Sequence, residues 1–231
     1  DAIRSHRNSY EREGGHAMRI GSSWRVPLIL LVLLLLAPDH HPCHLLATGQ
    51  SIATVSTAAE FQSAIASSVS ILLACDIILD RTINFYAYAG VTVEGQNYKL
   101  DGGAVYRCMT MSGASVAFTN LVVTNCRVAS DLDDFVNKGR GGYGAGLYMS
   151  SATVQMTNCI FMQNSGEAGA GIFMDGGSLT LTECEITDND ITQYGYGFGG
   201  AGGGAGLFAN GGKVTMTGCL IARNAAGNGF G

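Results

Sequence analysis

Residues 169–189 read GAGIFMDGGSLTLTECEITDN, and two other stretches align with them without a gap. These are GAGLYMSSATVQMTNCIFMQN at 144–164 and GAGLFANGGKVTMTGCLIARN at 204–224. Each opens with Gly-Ala-Gly, reaches a cysteine thirteen residues after the second glycine, and an asparagine five residues later. A fourth, degenerate copy is SGASVAFTNLVVTNC at 112–126, where Leu121 takes the cysteine place and Cys126 falls where the asparagine would be. Self-similarity on this length scale is the signature of a repeat architecture.

Within a copy the apolar residues alternate. Val154 and Met156, Leu179 and Leu181, and Val214 and Met216 are separated by Gln155, Thr180 and Thr215. A period of two means short strands with one face buried. A Thr-Asn or Thr-Gly step then turns the chain into a second short strand, which buries Cys159 and Phe161, or Cys184 and Ile186. Gly-Ala-Gly leads into a third, such as Leu147-Tyr148-Met149. Three short strands separated by bends describe one coil of an all-β solenoid, a single-stranded parallel β-helix. Stacking sets each strand about 4.8 Å from its counterpart and pairs its backbone groups with the next coil. Val154, Leu179 and Val214 are expected in one interior stack, and the repeat asparagines in a stacked turn that tolerates left-handed backbone and side-chain ladders. The copies are not evenly spaced: Cys159 to Cys184 is 25 residues and Cys184 to Cys219 is 35. The extra ten are YGYGFGGAGG, and solenoids take insertions at their turns.

Gly-Ala-Gly-[Leu/Ile] resembles the GGA[ILV] motif of the polymorphic outer-membrane protein repeats. Phe161-Met162-Gln163-Asn164 matches their FxxN, with Ile186 to Asn189 and Ile221 to Asn224 as IxxN variants. More broadly the chain is similar to the pectin-lyase-like superfamily, which implies that the β-helix is right-handed. That resemblance covers residues 112–231 well and 50–111 loosely. It implies either a surface adhesin or a polysaccharide-cleaving enzyme.

Residues 50–111 read as the N-terminal cap and first coils. Thr57-Ala58-Ala59-Glu60 has the form of a capping box, and Ala58, Phe61 and Ile65 share one helical face. A short helix over Thr57–Ser68 is expected to cover the first coil and block edge pairing. Strands are expected at Ile71–Ala74, Ile77–Leu79, Val91–Val93 and Leu100, so that the β-helix runs from about residue 70. Residues 112–231 form the repeats, which are expected to continue past Gly231.

The first 49 residues differ in kind. All five histidines, all three prolines and Trp24 lie before residue 50. An uncharged stretch from Val26 to Ala37 follows Arg19 and Arg25, and is shorter than the roughly 20 residues that span a bilayer. A basic start, a short apolar run and the small residues Ala47-Thr48-Gly49 read as a secretory signal peptide over 18–49, with 1–17 upstream of it. A signal-anchor that keeps residues 26–37 in the membrane is the alternative. Either way the chain is expected to be secreted or at the cell surface.

With 33 glycines in 231 residues but no Gly-X-Y period, the composition excludes collagen. A net charge of −5 argues against a nucleic-acid partner reached through a basic face. The lack of histidine after residue 50 excludes a Ser-His-Asp triad and a His-ligated zinc downstream.

Two loops carry the candidate chemistry. Asp131, Asp133 and Asp134 are the densest acid cluster, suited to a hard cation such as calcium. Their loop, Arg127 to Tyr143, occupies the same repeat position as the 190–203 insertion, which brings Asp190, Tyr194, Tyr196 and Phe198. Both loops should leave one corner about 10 Å apart, two coils at 4.8 Å each. Acids and aromatics on one edge suit an extracellular polysaccharide or a surface protein; solvated loops are the plain alternative. Catalysis by hydrolysis needs two carboxylates about 5–10 Å apart. The resemblance to lyases implies an Arg base, Arg127 or Arg140, beside the calcium-binding acids, but their His-containing signatures are missing here. The reading is therefore a non-catalytic module, with a polysaccharide lyase or glycoside hydrolase as the alternative. Cys159, Cys184 and Cys219 stack at one position. Parallel Cβ vectors disfavour a disulfide between them, and three thiols lack a fourth metal ligand, so a buried thiol ladder is expected.

Overall fold

The repeat closes into coils because each copy carries three stretches of alternating side chains joined by fixed bends. The computed structural model describes residues 52–65, 69–128, 142–191 and 203–226. These lie in one compact unit, Thr48–Gly231, and the leader expected over 1–49 is outside the described residues.

Parallel strands stack on three faces. The first face holds β1 (Ile52–Val55), β2 (Ser70–Leu73), β5 (Ala89–Glu94), β8 (Ser115–Thr119), the second halves of β10 (Leu147–Thr157) and β13 (Ile172–Thr182), and β17 (Lys213–Thr217). The second face runs through β3 (Ile77–Ile78), β6 (Lys99–Asp101), β9 (Val122–Thr124), β11 (Ile160–Met162), β14 (Glu185–Thr187) and β18 (Leu220–Ala222). The third comprises β4 (Ile83–Tyr86), β7 (Met109–Ser112), the first halves of β10 and β13, and β16 (Leu207–Asn210). A short pair, β12 (Ser165–Gly166) with β15 (Asp190–Ile191), lies between the second and third faces.

The register follows the repeat. Val154 pairs with Leu179 and Leu179 with Val214, in the single stack the spacing predicts. Inside, Val116, Val154 and Leu179 line one wall, Val123, Phe161 and Ile186 the second, and Met111, Met149 and Met174 the third, all buried. In the last described coil Val214 and Cys219 are only partly buried.

The structure corrects the expected three short strands per copy. In two coils the third strand of one turn and the first of the next form one 11-residue strand, β10 or β13. The chain bends without leaving the sheet because Ser151 and Gly176 take left-handed backbone, with φ of 49° and 72°. A second correction concerns the asparagines. Left-handed backbone falls on the residue before each one, at Gln163, Asp188 and Arg223, and not on Asn164, Asn189 or Asn224.

At the N-terminal end the β-helix begins earlier than residue 70, since β1 already pairs with β2. A helix, α1, spans Ala58–Ala64, shorter than the expected Thr57–Ser68, and ends where Ile65 turns extended. Thr57 Oγ1 accepts from the Glu60 N–H at 3.1 Å, as an N-cap should. The Glu60 carboxylate reaches back one residue further than the standard box, accepting from the Ser56 N–H at 2.8 Å. Phe61 enters the solenoid edge-on to Phe85 with centroids 6.2 Å apart, and Phe85 meets Phe118 likewise at 5.9 Å. Gln62 completes the cap: its side chain donates to the Asn84 carbonyl at 3.1 Å and accepts from the Asn84 N–H at 2.8 Å. A side-chain amide thus takes the place of a missing strand beside β4.

Candidate functional site

The corner between the second and third faces is built by an asparagine ladder. Asn189 Oδ1 accepts from the N–H and the Nδ2 of Asn164, at 3.1 and 2.9 Å, and Asn224 Oδ1 does the same for Asn189 at 3.0 and 2.9 Å. Each Nδ2 also donates to a carbonyl of the preceding coil, at Val123, Phe161 or Ile186. Asn164 and Asn189 have no measurable exposure. The second glycine of each Gly-Ala-Gly makes room for this ladder. A Cβ on Gly171 would lie 3.0 Å from Asn189 Nδ2 and 2.5 Å from the Gly206 carbonyl, and one on Gly206 would lie 2.7 Å from Asn224 Nδ2. The two halves of the motif, eighteen residues apart, are one packing unit.

The ladder ends at Cys126, whose N–H donates to Asn164 Oδ1 at 3.0 Å. Cys126 is disulfide-bonded to Cys108 across 5.5 Å between Cα atoms, and both are buried. Nothing in the spacing of the six cysteines that follow residue 50 singles out this pair.

Both insertions leave this corner. The outgoing stem of the first, Arg127–Val128, bridges to Ser165, and the outgoing stem of the second, Asp190–Ile191, pairs with Ser165–Gly166 from the other side. The returning stems border the same short connection: Gly144 donates to the Ala168 carbonyl at 3.0 Å, and Gly169 to the Gly204 carbonyl at 2.9 Å. The insertions therefore straddle one coil, which is the two-coil separation the repeat arithmetic predicts. Asp190 is half-exposed at the start of β15, with its N–H bonded to the Asn164 carbonyl at 2.9 Å. Asp131, Asp133, Asp134, Arg140, Tyr194, Tyr196 and Phe198 lie outside the described residues. Among the described residues no group of three or more His, Cys, Asp or Glu side chains is placed to hold a metal.

Beneath the returning stems lies a cluster that the sequence reading did not single out. Tyr148, Phe173 and Phe208 occupy one repeat position, Gly-Ala-Gly-Leu/Ile-aromatic, and pair in register on the outside of the third face. Tyr148 stacks on Phe173 at 5.6 Å and Phe173 on Phe208 at 5.3 Å, while Tyr143 lies on Phe173 at 4.8 Å. The Arg107 guanidinium sits 5.4 Å from the Tyr148 ring centroid and donates to the carbonyls of Tyr143 and Gly144, at 3.0 and 3.2 Å. Glu167 exchanges backbone and side-chain contacts with Gly142, accepting its N–H at 3.3 Å. Burial, helped by the Glu167 carboxylate, pushes the Tyr143 phenol above its ordinary pKa. Tyr148 and Phe173 are only 6% and 3% exposed, so they cannot serve as open platforms for a ligand. They anchor the loop stems, as satellite clusters under long loops do. The signal was available: an aromatic at one outward position in three successive copies.

The thiol column stacks as expected. Cys159 and Cys184 are buried and none of the three is disulfide-bonded, but Cys219, in the last described coil, is partly exposed where a fully buried ladder was expected. The Cys159 thiol donates to the Thr157 carbonyl at 3.4 Å, and the neighbouring Cys184 thiol together with burial raises the Cys159 pKa.

Residues 44–221 match the model of a family described as "right handed beta helix region". No curated protein and no solved structure matches the chain.

Proposed function

The chain belongs to the right-handed β-helix family, and from that premise we propose that it is an exported, non-catalytic binding module of the adhesin kind, taking extracellular polysaccharide at the corner where its two insertions emerge. One observation carries the reading: the stems of both insertions straddle the same Ser165–Gly169 connection and rest on a shared aromatic anchor. Rigid scaffolds present functional loops in this way. In this reading Asp131, Asp133 and Asp134 hold calcium, and Asp190, Tyr194 and Tyr196 contact sugar. Export is supported by the buried Cys108–Cys126 bond, since structural disulfides persist in oxidising compartments. The Gly-Ala-Gly and [Phe/Ile]xxN spacing supports kinship with the polymorphic outer-membrane protein repeats. Fold alone does not decide between binding and cleavage; the absence of histidine after residue 50 favours binding.

The test is to incubate the protein with polygalacturonate and calcium, then measure both co-sedimentation and release of reducing or unsaturated ends. Binding without new chain ends is the expected result. Rapid release of ends would establish the lyase or hydrolase alternative, and neither binding nor cleavage would remove polygalacturonate as a ligand.

A further inference from the structure

The first face of the β-helix presents a polar array that the corner site does not use. Thr119, Thr157, Thr182 and Thr217 are register partners in four successive coils, forming one outward row. Beside it run Thr180 and Thr215, with Gln155 and Ala117 further along, and then Ser115, Thr153, Ser178 and Lys213. The four threonines of the row are exposed or half-exposed, and none bonds through its hydroxyl to another described residue. The neighbouring turn is different, because there Asn158 donates to Asn120 and Asn120 to Glu94. Directly beneath the array, Val116, Val154, Leu179, Phe118, Met156 and Leu181 are buried, which holds it flat and rigid. On this face, over β5, β8, the second halves of β10 and β13, and β17, the charged outward residues are Glu94, in register with Thr119 at one end of the row, and Lys213 at the far end of the array; Asp175 lies on the third-face half of β13.

Such a row repeats at the coil spacing of about 4.8 Å. In tetrahedrally bonded water, two oxygens sharing a third lie about 4.5 Å apart, given hydrogen bonds of about 2.75 Å. The mismatch is about 0.3 Å per coil and accumulates to only about 1 Å along the row. Free hydroxyls at that repeat, each beside a methyl group, can hold waters in an ice-like lattice along the row, with Glu94 bounding it beyond Thr119. A charged side chain would impose its own hydration shell. We infer that this face binds ice, its threonine rows ordering water that merges with a crystal plane.

The experiment measures thermal hysteresis and enrichment into a slowly growing ice hemisphere, using the full chain. The wild type is expected to show both. Thr157→Lys with Thr182→Lys should abolish both, and the single Thr182→Lys variant serves if the double variant does not fold. Glu185→Lys, on the second face, should leave both unchanged. A wild type with neither hysteresis nor enrichment overturns the inference, and so does a folded lysine variant as active as the wild type. Neither result bears on polysaccharide binding at the corner.

Discussion

Asn189 is bonded on three sides within the corner, to Asn164, Phe161 and Asn224, with no solvent to replace a lost partner. Removing one partner of a buried hydrogen bond costs about 1–3 kcal/mol for each group left unpaired. Asn189→Leu strands the Asn164 N–H and the Phe161 carbonyl, so a loss of roughly 3 kcal/mol or more is expected from denaturant titration. Gly171→Ala should be comparably harmful, because its Cβ would push on both the ladder and the Gly206 carbonyl. By contrast Asn158→Ala, at an exposed turn, should cost much less. Its side-chain amide bonds to Asn120 at the surface. If Asn158→Ala proves as damaging as Asn189→Leu, burial is not what makes the ladder matter.

At the scale of elements, the cap and the aromatic column are the parts most open to test. Phe85 contacts both Phe61 of α1 and Phe118 of the next coils. Phe85→Ala is expected to cost about 3–5 kcal/mol and to loosen α1 together with β4. Thr57→Ala should cost about 1 kcal/mol, the usual worth of an N-cap. Native-state hydrogen exchange would locate both effects at the N-terminal end. Alkaline pH should also weaken the fold. Cys159 is held protonated in the native state, whereas an unfolded cysteine ionises near its ordinary value of 9.0. Above that pH the unfolded state binds fewer protons than the native one, so stability falls as pH rises. Tyr143, raised above 10.0, extends the decline to higher pH. Cys159→Ala should flatten the profile between pH 9 and 10, and an unchanged slope there would assign the alkaline loss to other groups.

How far the elements could be read from sequence depends on how regular the coil is. From residue 112 onward the repeat fixes strand, register and corner, because every copy solves the same packing problem with the same spacing. The early coils are less legible. β1, β4 and β7 carry no repeated marker, and Ile83-Asn84-Phe85-Tyr86 and Met109-Thr110-Met111-Ser112 read as strands only once their stacked partners are known. The capping role of Gln62 depends on a residue 22 positions away and leaves no local signal. The continuous strands β10 and β13 were hidden because Ser151 and Gly176 look like breaks in sequence, although a left-handed residue can bend a strand within its ladder. At the corner, the placement of the loop stems was legible from the two insertions. The aromatic anchor was visible but not weighed, since period-two reasoning looks inward.

On the scale of the whole molecule, the β-helix is a row of coils that each contact only their neighbours, so its stability is close to a sum over adjacent pairs. The Cys108–Cys126 bond adds a covalent link within that row, spanning 18 residues. Replacing both cysteines by serine should lower stability by about 3 kcal/mol in the chain-entropy account, read as a lower melting temperature in non-reducing buffer. The fold then presents two distinct surfaces: a corner that carries long insertions, and a flat face bearing the threonine row. The corner is proposed to bind the ligand. The most direct measurement is the melting temperature with millimolar calcium and polygalacturonate together, for the wild type and for Asp131→Asn/Asp133→Asn/Asp134→Asn. A ligand bound only by the folded state raises the melting temperature. A rise in the wild type that the triple variant loses is the predicted result. Identical melting curves for the wild type with and without both ligands would contradict it.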